Sequence, residues 1–198
     1  MALFSDEVAA GVRAGSPDAV GTVYVALADR LLSYLMARVR DLATAEDLLE
    51  LTFLELLQKG RTIRGGPAAI KVWLFRAAHY NALDHLRKAR RRLEDPLEQL
   101  AAFDVVDPAA GPEELALADD VSRRVRSAMR QLSEDQRQVL LLRYVADLSA
   151  QEVAGVLNKT DGAVRSLQHR GERSLARILN AQAQAAAASA PLRGTSKA

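Results

Sequence analysis

The amino-acid sequence predicts an all-α protein: two small helical domains joined by an acidic flexible linker, the C-terminal one a helix-turn-helix. Three observations carry that prediction. Alanine, leucine and arginine are abundant while aromatics make up only 5% of the 198 residues, with 11 Gly and 6 Pro, a balance that favours helix over sheet. Apolar residues recur at spacings of three and four between capping signals. One proline-punctuated acidic stretch interrupts that pattern.

The elements follow in order. Ser16-Pro17-Asp18 places a capping residue before a proline at the first helical position, and an amphipathic helix runs from Gly21 to Arg40. The next helix begins at Thr44, with Glu46 and Asp47 in its first turn, where negative charge suits the helix dipole. It carries Leu48, Leu49, Phe53, Leu56 and Leu57 and ends near Lys59-Gly60. Gly65-Gly66-Pro67 breaks the chain, and a long helix then extends from about Ala68 to Arg92, apolar at Ile70, Leu74, Ala77, Ala78 and Leu86. Residues 1–93 form the first expected domain. Residues 94–111 form the linker, whose prolines and acids resist independent folding. Residues 112–180 form the second domain. There Ser133 with Gln136, and Ser149 with Glu152, have capping-box spacing. Thr160 precedes a last helix with Val164, Leu167, Gly171, Leu175 and Ile178 on one face. The alanine-, glutamine- and serine-rich tail, 181–198, is expected to be disordered beyond a short extension of that helix.

The net charge of +2 hides a segregated pattern. Nine Lys/Arg stand against one acid, Asp84, between Arg61 and Arg92. Nine Asp/Glu and no base lie between Leu93 and Val121, and five bases face two acids between Lys159 and Arg177. Two basic blocks suggest a polyanion partner at two places, although any single basic run can be no more than a solvated face. The absence of cysteine excludes disulfides and thiolate metal sites and suits a reducing cytoplasm. No apolar run is expected to span a bilayer, and Asp6 and Glu7 in the first residues do not fit a secretion signal, so a cytoplasmic protein without membrane insertion is expected. His79, His85 and His169 lack the clustering of a metal site, so neither metal nor cofactor is expected. With no Gly-rich phosphate loop and no serine or cysteine nucleophile motif, the chain does not read as an enzyme.

The first basic block interleaves aromatics with cations: Trp73, Phe75, Arg76, His79 and Tyr80, then Arg87, Lys88, Arg90, Arg91 and Arg92. Exposed aromatics beside cations suit single-stranded nucleic acid, since every base offers a face for stacking and every phosphate a charge. Phe75 and Trp73 flank apolar Leu74, so burial in the core is the competing reading for each. The second block has the layout of a helix-turn-helix: a short helix from Ser149 to Leu157, a turn at Asn158-Lys159, and a longer helix from Thr160. Asn tolerates the left-handed turn conformation, and small Ala154 lets the helices approach. Arg165, Gln168 and His169 are the candidate base-facing residues, because Arg and Gln pair with guanine and adenine edges. Lys159, Arg170 and Arg173 are candidates for the phosphates, and Thr160 and Ser166 complete the face. A helical hairpin with a polar outer face would show the same pattern.

These residues together resemble a known family. Thr44-Ala45-Glu46-Asp47-Leu48 with Thr52-Phe53-Leu54, then Trp73-Leu74-Phe75-Arg76-Ala77-Ala78 with Ala82-Leu83-Asp84-His85-Leu86-Arg87, resemble the second conserved region of bacterial sigma factors. Leu132-Ser133-Glu134-Asp135-Gln136-Arg137, Leu142-Arg143-Tyr144, Leu148-Ser149-Ala150-Gln151-Glu152-Val153-Ala154 and Gly162-Ala163-Val164-Arg165-Ser166 resemble the fourth. Two regions joined by a short linker are similar to the extracytoplasmic-function subfamily, and the likeness spans nearly the whole chain except the tail.

The resemblance implies roles. Asp47, Leu48, Glu50, Thr52, Phe53 and Glu55 would hold the β′ clamp helices of core RNA polymerase. The loop Ile63 to Ile70 and the helix behind it, with Arg61, Arg64, Trp73, Arg76, His79, Tyr80, Asn81, Arg87, Lys88 and Arg91, would capture flipped bases of the non-template strand at the minus-ten element. Lys159, Thr160, Arg165, Ser166, Gln168, His169, Arg170 and Arg173 would read the minus-thirty-five element, next to the polymerase β flap. The linker would thread through the polymerase, and an anti-sigma factor would hold the protein inactive. Extruding bases costs a few kcal/mol each, offset by pockets and stacking surfaces, so no nucleotide hydrolysis is required. Three departures stand out: Tyr80 where the family usually has Asn, with Asn81 one place later; Leu51 where a glutamate is usual; and Arg64-Gly65-Gly66-Pro67-Ala68 in a loop that commonly holds an aromatic and an acid. A stand-alone helix-turn-helix regulator shares the C-terminal motif but leaves the Asp47 to Phe53 pattern and the acidic linker without a purpose. An enzyme lacks a site, and a purely structural helical protein does not account for the segregated basic blocks.

Overall fold

The computed structural model describes residues 3–94 and 114–188, with side chains described for 3–91 and 121–185. Among these residues every regular element is helical. The helices are α1 (Asp6–Ala14), α2 (Pro17–Val39), α3 (Leu42–Lys59), α4 (Pro67–Glu94), α5 (Glu114–Arg130), α6 (Glu134–Leu140), α7 (Ala150–Leu157) and α8 (Asp161–Ala188). A 3-10 turn, Gly60–Thr62, follows α3, and a π-helical turn, Leu141–Val145, follows α6.

The starts of the helices follow from side-chain oxygens that accept from otherwise orphaned N–H groups. Ser5 caps Val8 at 3.3 Å and Ser16 caps Ala19 at 3.4 Å. Asp41 accepts from the Thr44 N–H at 2.8 Å, so α3 starts at Leu42 rather than at the expected Thr44. Both capping boxes form. Ser133 and Gln136 exchange bonds of 3.4 Å, and Ser149 and Glu152 bonds of 2.6 and 3.2 Å.

The chain divides into two compact units, 1–106 with 141–165, and 107–140 with 166–198. In the first, α2 supplies the central stripe: Val20, Val23, Leu27, Leu31, Tyr34 and Leu35 are buried. Leu49, Phe53 and Leu56 of α3 and Ile70, Leu74, Phe75, Ala78 and Ala82 of α4 close on it, with Ala9 and Val12 of α1 below. Each fully buried Leu, Ile or Phe contributes about 1.5–3 kcal/mol relative to an exposed one. Phe75 meets Tyr34 edge-on, ring centroids 6.0 Å apart, which settles Phe75 as core. α2 corrects one expectation: it is long and apolar enough to cross a membrane by length and composition, with a mean hydropathy of 1.3. Its stripe packs instead against α1, α3 and α4.

In the second unit Ala128, Leu132, Val139 and Leu140 are buried. A Cβ on Gly171 would lie 3.2 Å from Leu140 Cδ1, so the glycine lets α8 and α6 approach closely. Helix α8 continues to Ala188, well into the expected disordered tail; 189–198 lie outside the described residues, as does the expected linker except Glu94. The division between units falls inside α8, so α7 groups with the N-terminal helices rather than with 112–180 as the chain order suggests.

Candidate nucleic-acid interface

The loop between α3 and α4 and the first turns of α4 frame an open cleft of about 750 Å³, lined by Thr62, Ile63, Arg64, Ala68, Ala69, Val72, Trp73 and Arg76. Ser149, Gln151 and Glu152 complete its wall. Ile63 is buried and anchors the loop, while Arg64 and Arg76 are exposed and give the opening its positive charge. Trp73 is half-buried at the cleft wall, so it is neither wholly core nor wholly surface. One turn further along α4 the exposed Tyr80 ring lies 5.9 Å from the Arg76 guanidinium. Arg61, Arg87, Lys88 and Arg91 are exposed, with Arg87 3.6 Å from Asp84. An aromatic and cationic surface of this kind can stack a base and hold phosphates.

His79 is corrected. It is buried, its Nδ1 2.9 Å from the Tyr34 hydroxyl, because it shares the inward face of α4 with Phe75 and Ala82. Asn81 is half-buried and donates from Nδ2 to Thr52 Oγ1 at 3.3 Å, which ties α4 to α3 rather than pointing outward.

The expected polymerase-facing set on α3 divides in the same way. Asp47 and Glu50 are exposed, and Glu55 is half-buried beside Lys59 at 3.1 Å. Leu48, Thr52 and Phe53 are buried, a second correction: Thr52 Oγ1 donates to Leu48 O at 2.7 Å, and the Phe53 ring lies 4.8 Å from that of Tyr24. The outward face carries instead Leu51, Leu54 and Leu57, spaced with Asp47 and Glu50 along one side of the helix. Leu54, 54% exposed, is an apolar side chain that is not packed away among the described residues.

Helix α7 ends at Asn158, left-handed at φ 52°, and Thr160 Oγ1 accepts from the Ala163 N–H at 3.2 Å to start α8. This is the tight turn of a helix-turn-helix. Along α8, Val164 and Gly171 are buried, and Leu167, Leu175 and Ile178 are half-buried. Thr160, Arg165, Ser166, His169, Arg170 and Arg173 are exposed, while Lys159 and Gln168 are half-buried. Arg165 Nε donates to Asp161 at 2.8 Å and Gln168 donates to Glu172 at 2.8 Å, so two of the candidate base readers are held by acids on their own helix. Among the described residues no cluster of His, Asp or Glu could hold a metal ion.

The π-helical turn and α7 rest on the N-terminal helices. Lys71 Nζ donates to Asp147 O at 2.8 Å and lies 3.6 Å from Glu152, Arg30 pairs with Asp147 at 3.2 Å, and a Cβ on Gly155 would sit 3.2 Å from Val72. None of these pairings has a local sequence signal.

Comparison with known proteins matches this arrangement. The family model for sigma-70 region 2 matches residues 23–92, and that for sigma-70 region 4 matches residues 122–175. In that order they define a sigma-70-type transcription initiation factor. The chain belongs to the extracytoplasmic-function family of RNA polymerase sigma factors. It is 33% identical over 144 residues to SigX of Bacillus subtilis, covering 71% of this chain and 73% of that protein. It is 33% identical over 173 residues to BldN of Streptomyces coelicolor, covering 87% of this chain but only 65% of that relative's length. CarQ of Myxococcus xanthus, also a sigma factor, is 30% identical, with 84% of this chain and 92% of that one covered. The fold is similar to CnrH, solved with the cytosolic domain of CnrY (TM-score 0.67, 20% identity, 89% of this chain and 97% of that one). It is also similar to RpoE, solved with the anti-sigma factor NepR from Bartonella quintana (TM-score 0.64, 21% identity, 81% and 96% covered).

Proposed function

We propose that this chain is the promoter-recognition subunit of a bacterial RNA polymerase, that it acts by binding alone, and that it works in the cytoplasm. The region around 1–93 engages core polymerase and the minus-ten element, 94–111 is a connecting linker, and 112–180 reads the minus-thirty-five element. The observation that carries this reading is the cleft between the α3–α4 loop and α4, where Arg64, Trp73 and Arg76 meet, with Tyr80 beside it. A displaced non-template base would stack there on an aromatic face, with arginine offsetting the charge of its phosphate. The exposed Asp47, Glu50, Leu51 and Leu54 of α3 provide a mixed acidic and apolar strip for the polymerase clamp helices. The β flap is the partner of the C-terminal region. Binding energy from core and from two tethered DNA contacts drives strand opening, so no catalytic residue is needed. The fold shared with CnrH, solved with the cytosolic domain of CnrY, and with RpoE, solved with the anti-sigma factor NepR, supports an anti-sigma partner for this chain as well.

The test is open-complex formation by the reconstituted holoenzyme on a cognate promoter. Arg76→Ala with Tyr80→Ala is expected to slow strand opening on the order of tenfold or more, the loss of roughly one stacking contact, with core affinity unchanged. Opening at the wild-type rate would contradict the assignment of the cleft.

A further inference from the structure

The loop that leads into the cleft contains Gly60, Gly65 and Gly66 within seven residues. Glycine loses more conformational freedom on ordering than any other residue, so a loop of this composition needs an external brace to hold one shape. Helix α1 touches it at all three glycines. A Cβ on Gly60 would lie 3.0 Å from both Val12 Cγ1 and Val12 O. The Arg13 guanidinium donates to the Gly65 carbonyl, and Gly65 has φ +117°, where a side chain is strained. A Cβ on Gly66 would lie 2.7 Å from the Asp6 carboxylate. The brace is itself fixed, since Ala9 and Val12 are buried and Ser5 caps its first turn.

We propose that α1 holds the base-capturing loop in its reading conformation, with Arg13 as the positioning residue. The Gly65 carbonyl that Arg13 holds directly follows Arg64, and Arg64 lines the cleft with Trp73 and Arg76. Fixing that peptide therefore fixes where Arg64 enters the cleft, and through it which bases the cleft accepts. Helix α1 lies outside residues 23–92, the segment that the region 2 family model matches. The proposal rests on the reading of the cleft as the minus-ten base site.

The experiment compares holoenzymes carrying wild-type chain, Arg13→Ala and Arg13→Lys on promoters with each of the four bases at each minus-ten position, scoring strand opening. Core affinity and binding to a minus-thirty-five duplex are measured alongside. Arg13→Ala is expected to flatten base discrimination roughly tenfold at one or two minus-ten positions, the size of one charged hydrogen bond, with core and duplex affinity unchanged. Arg13→Lys, which can still donate to the carbonyl, is expected to restore much of it. Unchanged discrimination in Arg13→Ala, or an equal loss on every promoter together with a lower melting temperature, would overturn the positioning role while leaving the cleft assignment standing. A wild-type holoenzyme indifferent to the minus-ten bases would overturn the cleft assignment and this role together.

Discussion

The Lys71 ammonium lies 3.6 Å from the Glu152 carboxylate and donates to the Asp147 carbonyl at 2.8 Å. Both side chains are well shielded, 14% and 20% exposed, which makes the pair stronger than an ordinary surface ion pair. The two Glu152 oxygens have separate tasks, Oε2 accepting from the Ser149 N–H and Oε1 facing Lys71. The same side chain therefore starts the first helix of the helix-turn-helix and seats it beside the cleft.

Lys71→Glu is expected to release α7 from α4 and uncover the cleft. Binding of a single-stranded minus-ten oligonucleotide by the free protein should rise, and fluorescent labels on α4 and α7 should move apart. Adding Glu152→Lys should recover part of the docking, with a coupling of about 1–2 kcal/mol in a double-mutant cycle. An unchanged label distance in Lys71→Glu would show that the contact is not what seats α7.

Neighbouring residues on α3 are expected to behave in opposite ways. Phe53→Ala should destabilise the fold by about 3–5 kcal/mol in chemical denaturation, since it empties a core position beside Tyr24. Leu54→Ala should leave the denaturation midpoint within error and weaken core polymerase binding. The reverse pattern would mean that the faces of α3 have been interchanged.

Helix α3 has two apolar stripes, Leu48, Leu49, Phe53 and Leu56 on one side and Leu51, Leu54 and Leu57 on the other, and periodicity alone cannot choose between them. The choice is made by Tyr24 and Asn81, which come from other helices. His79 stands among cations in the sequence, which points it to a DNA face, whereas its partner in the fold is Tyr34, 45 residues earlier. Capping signals are local, and Ser16, Ser133, Ser149, Asn158 and Thr160 were therefore readable, as was the turn of the helix-turn-helix. The contacts of Arg13 with Gly65 and of Lys71 with Asp147 and Glu152 join distant segments and leave no periodic trace.

The start of α3 should report on pH. Hydrogen bonds from the Thr44 side chain and backbone, the larger influences, and the nearby His85 hold the Asp41 carboxyl below its ordinary value. Its stabilising effect is therefore complete above the ordinary aspartate value and is lost as pH falls through the lower folded value. The melting temperature of wild type should drop more steeply than that of Asp41→Asn over that acidic window. Parallel curves for the two proteins would remove Asp41 from the acid response.

In α8, Arg165→Ala is expected to cost about 1–3 kcal/mol at one or two upstream base pairs and little elsewhere. The 2.8 Å bond that Arg165 Nε donates to Asp161 orients the guanidinium, so Asp161→Ala should blur the same positions to a smaller extent. A uniform loss across all duplex sequences, with a shallower salt dependence, would instead place Arg165 on a phosphate.

The most direct measurement is size-exclusion chromatography of the purified chain with core RNA polymerase, without DNA. A stoichiometric complex, weakened by Asp47→Arg with Leu54→Ala and unaffected by Arg165→Ala, is the expected result. Failure of the wild-type chain to co-elute with core polymerase from its own organism, while it binds duplex DNA stably alone, would contradict the polymerase-subunit function and favour a stand-alone helix-turn-helix regulator.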